Sequence, residues 1–277
     1  MPSNQRFREK YGPWAIVTGC TSGIGEAIAT QLAERGINLV LVARREAVLR
    51  KQSENFGQEY RVGTRTLCLD LAQPGATGRL AQATDDIDIG LLVVNAAVEY
   101  HGEFFDRGLD AHEYLLQLNV TASMQMARIY GEKMLGRGRG GMLLVSSMGG
   151  YTPQPYIAHY GASKAYLSSL GEALHRELKG KGVDVTVLAA GLTDTPMGAA
   201  YHKMQFHLMS PDDVARAGLE AIGRTPLVVP GLRNKMTLFL LGRLIPRKLA
   251  PMLTAAVLKK TVLQGYPGFN AETHNRQ

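Results

Sequence analysis

Trp14-Ala15-Ile16-Val17-Thr18-Gly19-Cys20-Thr21-Ser22-Gly23-Ile24-Gly25 carries an apolar run into a stretch with helical spacing, so a glycine-rich turn sits between a strand and a helix. A dinucleotide pyrophosphate binds at such a turn. The tight bend and the close backbone approach need residues without Cβ, and the free N–H groups at the helix start attract phosphate oxygens. Gly19, Gly23 and Gly25 meet that need, and Thr21, Ser22 and Ile24 between them complete the candidate phosphate loop. The first gap is wider than in the commoner G-x-G-x-x-G pattern. Taken alone, the motif also fits a glycine-rich turn that holds no ligand.

Working outward, apolar runs recur at Ala15–Thr18, Leu39–Val42, Thr66–Leu69, Leu91–Asn95, Met142–Ser146, Val183–Leu188 and Leu227–Val229, with helix-length segments between most of them. Strands alternating with helices predict parallel pairing through crossovers, and near-continuous apolar character predicts a sheet covered on both faces. The expected fold is therefore α/β: a Rossmann-type, doubly wound, mostly parallel sheet of seven strands. A chain of 277 residues fits this as one domain, with a core over about 12–230 and an extension over 231–277. Gly136-Arg137-Gly138-Arg139-Gly140-Gly141 reads as a loop between helix and strand rather than a nucleic-acid segment.

Composition narrows the function. Cys20 and Cys68 are too few for a disulfide framework, and both read as small buried apolar residues in a reducing, cytoplasmic setting. The first fourteen residues lack the apolar core of a signal peptide. The net charge of +7 belongs to the tail: residues 231–277 hold eight bases and one acid, leaving 23 of each before them. With a balanced body and a tail that mixes cations with apolar residues, nucleic acid is not an expected partner. His159, His202 and His207 lack companions for a metal site.

The chemistry-bearing residues lie past the fifth apolar run. Ser146-Ser147-Met148-Gly149-Gly150 is followed by His159-Tyr160-Gly161-Ala162-Ser163-Lys164-Ala165. Four residues apart, Tyr160 and Lys164 share a helix face, where an ammonium is expected to lower the phenol pKa from about 10 toward neutrality. Such a phenol passes a proton to or from a carbonyl or alcohol oxygen while hydride moves on a nicotinamide. On its own, Tyr-x-x-x-Lys also fits a solvated helix face.

Thr18–Gly25, Ser147, Tyr160 and Lys164, with thirteen residues between serine and tyrosine numbers, resemble the signature of the short-chain dehydrogenase/reductase family over roughly residues 12–230. Tyr11-Gly12-Pro13-Trp14 resembles its steroid and long-chain 3-ketoacyl reductase branch. The resemblance implies Tyr160 as acid/base, Lys164 on the nicotinamide ribose, Ser147 on the reacting oxygen with Ser146 as competitor, and Asn119 supporting a water relay to the lysine. It further implies cofactor contacts at Asp70-Leu71, where Asp70 fits helix capping equally well, at Asn95-Ala96, and at Gly191, Thr193 and Thr195. Three positions depart from the pattern: Val94 and Ala97 flank Asn95-Ala96, and Ala190 stands where the family has proline. A homo-oligomer is expected.

Arg44 follows Ala43 at the end of the second run, where a NAD site needs a carboxylate for the ribose and a guanidinium instead pairs with a 2′-phosphate. NADP is the expected cofactor, and Arg45 is read as solvated. The segment Pro196–Met209, with methionines and aromatics, either lines an apolar substrate pocket or packs as a lid. Cations and prolines break the apolar stretches of the tail well below the ~20 residues needed to cross a bilayer. Peripheral membrane contact through 231–277, a subunit interface or a flap over the pocket remain open. The leading expectation is an NADP-dependent oxidoreductase of a lipophilic ketone and its secondary alcohol. Its rivals are a catalytically silent nucleotide-binding regulatory or scaffold protein and a lipid-surface adaptor.

Overall fold

The computed structural model describes residues 2–204 and 208–265. Its strands are β1 (Trp14–Thr18), β2 (Asn38–Ala43), β3 (Thr64–Cys68), β4 (Ile89–Val94), β5 (Gly140–Ser147), β6 (Val183–Ala190) and β7 (Leu227–Val228). They form one sheet in the order β3-β2-β1-β4-β5-β6-β7, and every pairing is parallel. All seven expected runs are strands, with the third starting two residues earlier than expected. Successive side chains enter opposite faces, which explains the continuous apolar runs. In β1, Ala15 and Val17 join one core while Ile16 joins the other.

The helices are α1 (Pro2–Tyr11), α2 (Gly23–Glu34), α3 (Glu46–Tyr60), α4 (Ala76–Gln82), α5 (Leu109–Leu116), α6 (Ser123–Arg137), α7 (Ala158–Leu178), α8 (Pro211–Ala221), α9 (Leu232–Phe239) and α10 (Ala250–Gly265). Ile28 and Leu32 of α2 and Leu219 of α8 pack one core, while Met126 and Tyr130 of α6 and Leu167 of α7 pack the other. Each fully buried aliphatic side chain contributes about 1.5–3 kcal/mol relative to exposure. Ser210 starts α8 as its cap, its hydroxyl accepting from the Asp213 N–H at 3.1 Å with Pro211 behind it. Between α5 and α6 the chain passes without a break through a π-helical turn, Gln117–Ala122.

One expectation fails in the sheet. Cys68 is exposed rather than buried, because it ends β3, the edge strand, and its thiol donates to the Arg44 carbonyl at 3.3 Å. Cys20 is buried as expected.

The order reverses between β1 and β4, so their carboxyl ends diverge into a crevice, the place where open α/β sheets bind ligands. No helix among the described residues is long and apolar enough to cross a membrane. The tail is not peripheral to the core: Ala250 and Leu258 of α10 are buried, and Leu258 clusters with Leu115, Ile157, Tyr160 and Tyr201.

Candidate active site

The glycine-rich turn spans the β1 end of that crevice. Gly19 has φ +65°, and a Cβ there would meet the Ala96 Cα at 2.9 Å. A Cβ on Gly25 would lie 2.2 Å from the Gly19 carbonyl oxygen. Asn95 holds the bend from the β4 side, its amide donating to the Thr18 and Gly19 carbonyls at 3.0 and 3.1 Å. The Thr18 hydroxyl accepts the Asn95 and Ala96 N–H groups in turn. Ser22, the cap residue of α2, makes no side-chain bond to the first turn, so the opening N–H groups face the crevice without a protein cap. Departure from the family pattern at Val94 and Ala97 leaves this lattice intact.

A cavity of about 1020 Å³ runs from this turn past Tyr160 and Lys164 of α7 to α9 and α10. Gly19, Thr21, Ser22, Gly23 and Ile24 line one end together with Arg44, Arg45, Asp70 and Leu71. Gly25 packs behind the turn, and its role is the close approach just described. No carboxylate stands at the end of β2. Arg44 donates to the Tyr114 hydroxyl at 3.0 Å, and that hydroxyl is 3.2 Å from both Asp70 oxygens. Asp70 also accepts the Ala72 N–H at 3.0 Å, so it closes a local turn as well as lining the cavity. Arg45 is not merely solvated: its guanidinium grips the Thr21 carbonyl and hydroxyl at 2.8 and 2.9 Å, beside the phosphate loop. A glycine cradle, an uncapped helix start and two guanidinium groups fit a dinucleotide with an extra phosphate.

The other end carries the chemistry. Tyr160 is buried, and Ser147 lines the same cavity close enough to act on its phenol. Ser147 accepts the Gly149 N–H at 3.1 Å, which leaves its hydroxyl proton for an oxygen in the cavity. Ser146 takes no part there. It donates to the Lys164 carbonyl at 2.9 Å and pairs with Ser168 at 2.7 Å. Lys164 is buried with its ammonium on the Val145 carbonyl at 2.9 Å and 5.7 Å from the Tyr160 ring centroid.

The electrostatics correct one expectation. Burial, reinforced by the negative charge of Glu99, pushes the Tyr160 phenol above its ordinary value, while Ser147 pulls in the opposite direction. Desolvation is the largest influence on the phenol, and the Lys164 ammonium, 5.7 Å from the ring centroid, does not reverse it. Burial also lowers Lys164 to about 8, opposed by Glu99.

Asn119 lies in the π-helical turn, a frequent mark of functional sites. Its side chain exchanges two bonds of 2.9 Å with the Val98 backbone and donates to the Ser163 hydroxyl at 3.1 Å. It thereby ties the β4 loop to α7, with no hydrogen bond to Lys164. Gly191, Thr193 and Thr195 reach the cavity from the end of β6, and Thr195 accepts the Gly198 N–H at 3.1 Å. Leu192, Tyr201, Thr237, Leu253 and Leu258 wall the remaining space, so α9 and α10 are a roof over it.

Tyr114 and Glu99 were missed from the sequence, Arg45 was read as solvated, Tyr201 was named only within the Pro196–Met209 segment, and the roof was one of three readings open for the tail. Glu99, a charge directly after Ala96-Ala97-Val98 in the loop after β4, was the one available signal. Among the described residues no acid, His or Cys group is arranged to hold a metal. His159 meets His112 nitrogen to nitrogen at 2.8 Å. The side chain of His202 and all of His207 lie outside the described residues, as do the side chain of Met204 and all of Phe206 in the expected lid.

The family model for short chain dehydrogenases matches residues 13–205. The chain belongs to the short-chain dehydrogenase family. It is an oxidoreductase of CH–OH groups, and its relatives fall in the branch anticipated above. A 7beta-hydroxysteroid dehydrogenase of Mediterraneibacter gnavus is 32% identical over 236 residues, 83% of this chain and 90% of that protein. The very-long-chain 3-oxoacyl-CoA reductase of Mus musculus is 30% identical over 218 residues, 77% of this chain and 70% of that protein. A solved structure from a study of 7beta-hydroxysteroid dehydrogenase stereoselectivity superposes with a TM-score of 0.84 at 30% identity, covering 90% of this chain and 99% of that one. The short-chain dehydrogenase from Sphingobium yanoikuyae in complex with NADPH shares the fold, with a TM-score of 0.76 at 24% identity over 94% of this chain and 98% of that one.

Proposed function

We propose that this short-chain dehydrogenase interconverts a lipophilic ketone and its secondary alcohol, with Tyr160 passing the proton. The carrying observation is a buried phenol that shares with Ser147 and Lys164 an apolar chamber roofed by α9 and α10, where burial raises its pKa. The cofactor is NADP(H), which Arg44, Arg45 and the Gly19–Gly25 turn hold, and it supplies or accepts the hydride. Ser147 donates its hydroxyl proton to the substrate oxygen and fixes it beside Tyr160. Tyr160 delivers its proton as that oxygen gains charge, which suits the reductive direction. Lys164, aligned by Val145, offsets the charge left on the phenol, and Asn119 holds the walls through Val98 and Ser163. Relatives acting on hydroxysteroids and long-chain 3-oxoacyl groups support a lipid-like substrate. An NADPH-consumption screen over steroids, long-chain 3-oxoacyl derivatives and quinones, repeated with NADH, tests the reading. Absence of turnover with every ketone would contradict it.

The roof has a second face. Leu232, Met236, Phe239, Leu244 and Met252 are all more than half exposed, from 56% to 74%, beside Arg233, Lys235, Arg243, Arg247 and Lys248. Apolar side chains among cations suit the surface of an anionic bilayer, from which a lipophilic substrate would reach the chamber beneath. Co-sedimentation with phosphatidylserine vesicles, lost on Phe239→Glu plus Met252→Glu, is the expected result.

A further inference from the structure

One carboxylate in the chamber wall has no role yet beyond its charge on Tyr160 and Lys164. Glu99 follows Val98 in the loop after β4, and its side chain is 7% exposed. Its Oε1 lies 2.7 Å from His101 Nε2 and accepts the Tyr201 hydroxyl at 3.0 Å. The other oxygen, Oε2, has no hydrogen bond among the described residues and is not sealed from the cavity. Glu99 lines that cavity with Ser147, Tyr160 and Lys164, and its charge acts on both of the last two.

A carboxylate removed from water is costly unless each oxygen finds donors. Two donors satisfy Oε1, while Val98, Ile157, Leu192 and Leu258 make the nearby wall apolar. Tyr201, in the 3₁₀ segment Met197–Met204, and His101, in the β4 loop, grip the carboxylate from two elements. It is thus a fixed acceptor in the wall of the chamber. Lys164 already supplies a cation within its field, so a neutral donor rather than an ammonium completes the arrangement.

We propose that Glu99 Oε2 receives a hydroxyl of the substrate, so that the enzyme selects lipophilic hydroxy-ketones over ketones of the same skeleton without that hydroxyl. This rests on the ketone reduction proposed above and names the substrate feature that the site reads. A hydrogen bond to a buried charge implies about tenfold or more discrimination in kcat/KM.

The test uses the full chain with NADPH and ketosteroids carrying one reducible ketone, either with no hydroxyl or with one hydroxyl at different ring positions. At least one hydroxylated member is expected to exceed the deoxy ketone about tenfold in kcat/KM. That ratio should fall to within about twofold of one in Glu99→Leu and only part of the way in Glu99→Gln, which keeps an acceptor. If Glu99→Leu does not fold, judged by NADPH binding and thermal midpoint, a fall of about threefold or more in Glu99→Gln decides in favour and an unchanged ratio decides against. Turnover without discrimination, or a ratio that neither variant alters, overturns this inference and leaves ketone reduction standing. No turnover of any ketone by the wild type contradicts the reduction itself and takes this inference with it.

Discussion

Lys164 donates from its ammonium to the Val145 carbonyl at 2.9 Å, tying α7 to the backbone of β5. Burial lowers this lysine to about 8 from 10.5. Between those values the unfolded chain binds the proton and the folded one does not, so this group's contribution to stability rises with pH across the window and is least favourable below it. Lys164→Met removes the buried charge at little change in volume. At pH 7 it is expected to raise unfolding stability by ~1–3 kcal/mol while abolishing turnover. Urea denaturation of both proteins at pH 7 measures this, and a less stable variant would contradict it.

Cofactor choice is proposed to rest on the guanidinium pair at the end of β2. With Arg45 on Thr21 and Arg44 on Tyr114, removal of both charges should cost about tenfold to hundredfold in NADPH affinity. NADH affinity should change much less. Fluorescence titration of Arg44→Ala/Arg45→Ala with each nucleotide checks the split; equal losses for the two would count against a phosphate contact.

Gly25 is required by packing. A methyl there would meet the Gly19 carbonyl at 2.2 Å and the Asn95 amide at 2.4 Å, both parts of the turn itself. Gly25→Ala is expected to lose about 1–3 kcal/mol of stability and to weaken NADPH binding by moving the turn. Thermal melts with and without NADPH read both effects, and an unchanged melt would show that the turn can yield.

The His112–His159 contact at 2.8 Å makes stability depend on acid. Burial, and then the charge of His112, lowers His159 from 6.5, so below that value the unfolded chain takes up the proton more readily than the folded one. Stability attributable to this residue is present above pH 6.5 and lost as pH falls toward its folded pKa. Urea midpoints from pH 7.5 to 5 should fall more steeply for the wild type than for His159→Gln.

The seven strands, the glycine turn and the Ser147, Tyr160 and Lys164 set were legible in the chain because each depends on local period or spacing. Roles set by distant partners were not. Asn95 and Asn119 read as contacts to cofactor or relay, and the sequence does not show that their amides also bond backbone brought near by the crossovers, Asn119 together with the Ser163 hydroxyl. Tyr160 read as an acidified phenol because helical spacing shows the neighbouring lysine but not the apolar wall supplied by Leu115 and Leu258. That wall comes partly from the tail, whose apolar residues cover two faces and so carry no single period.

Tyr160 is the proposed proton donor, and removing one oxygen atom tests that role. Tyr160→Phe keeps the ring among Leu115, Ile157 and Leu258 but leaves no hydroxyl beside Ser147. Single-turnover reduction of a ketone substrate by the variant, loaded with NADPH to an occupancy confirmed by titration, is expected to slow by about 10²–10⁴-fold. Wild-type turnover with NADPH bound would contradict it.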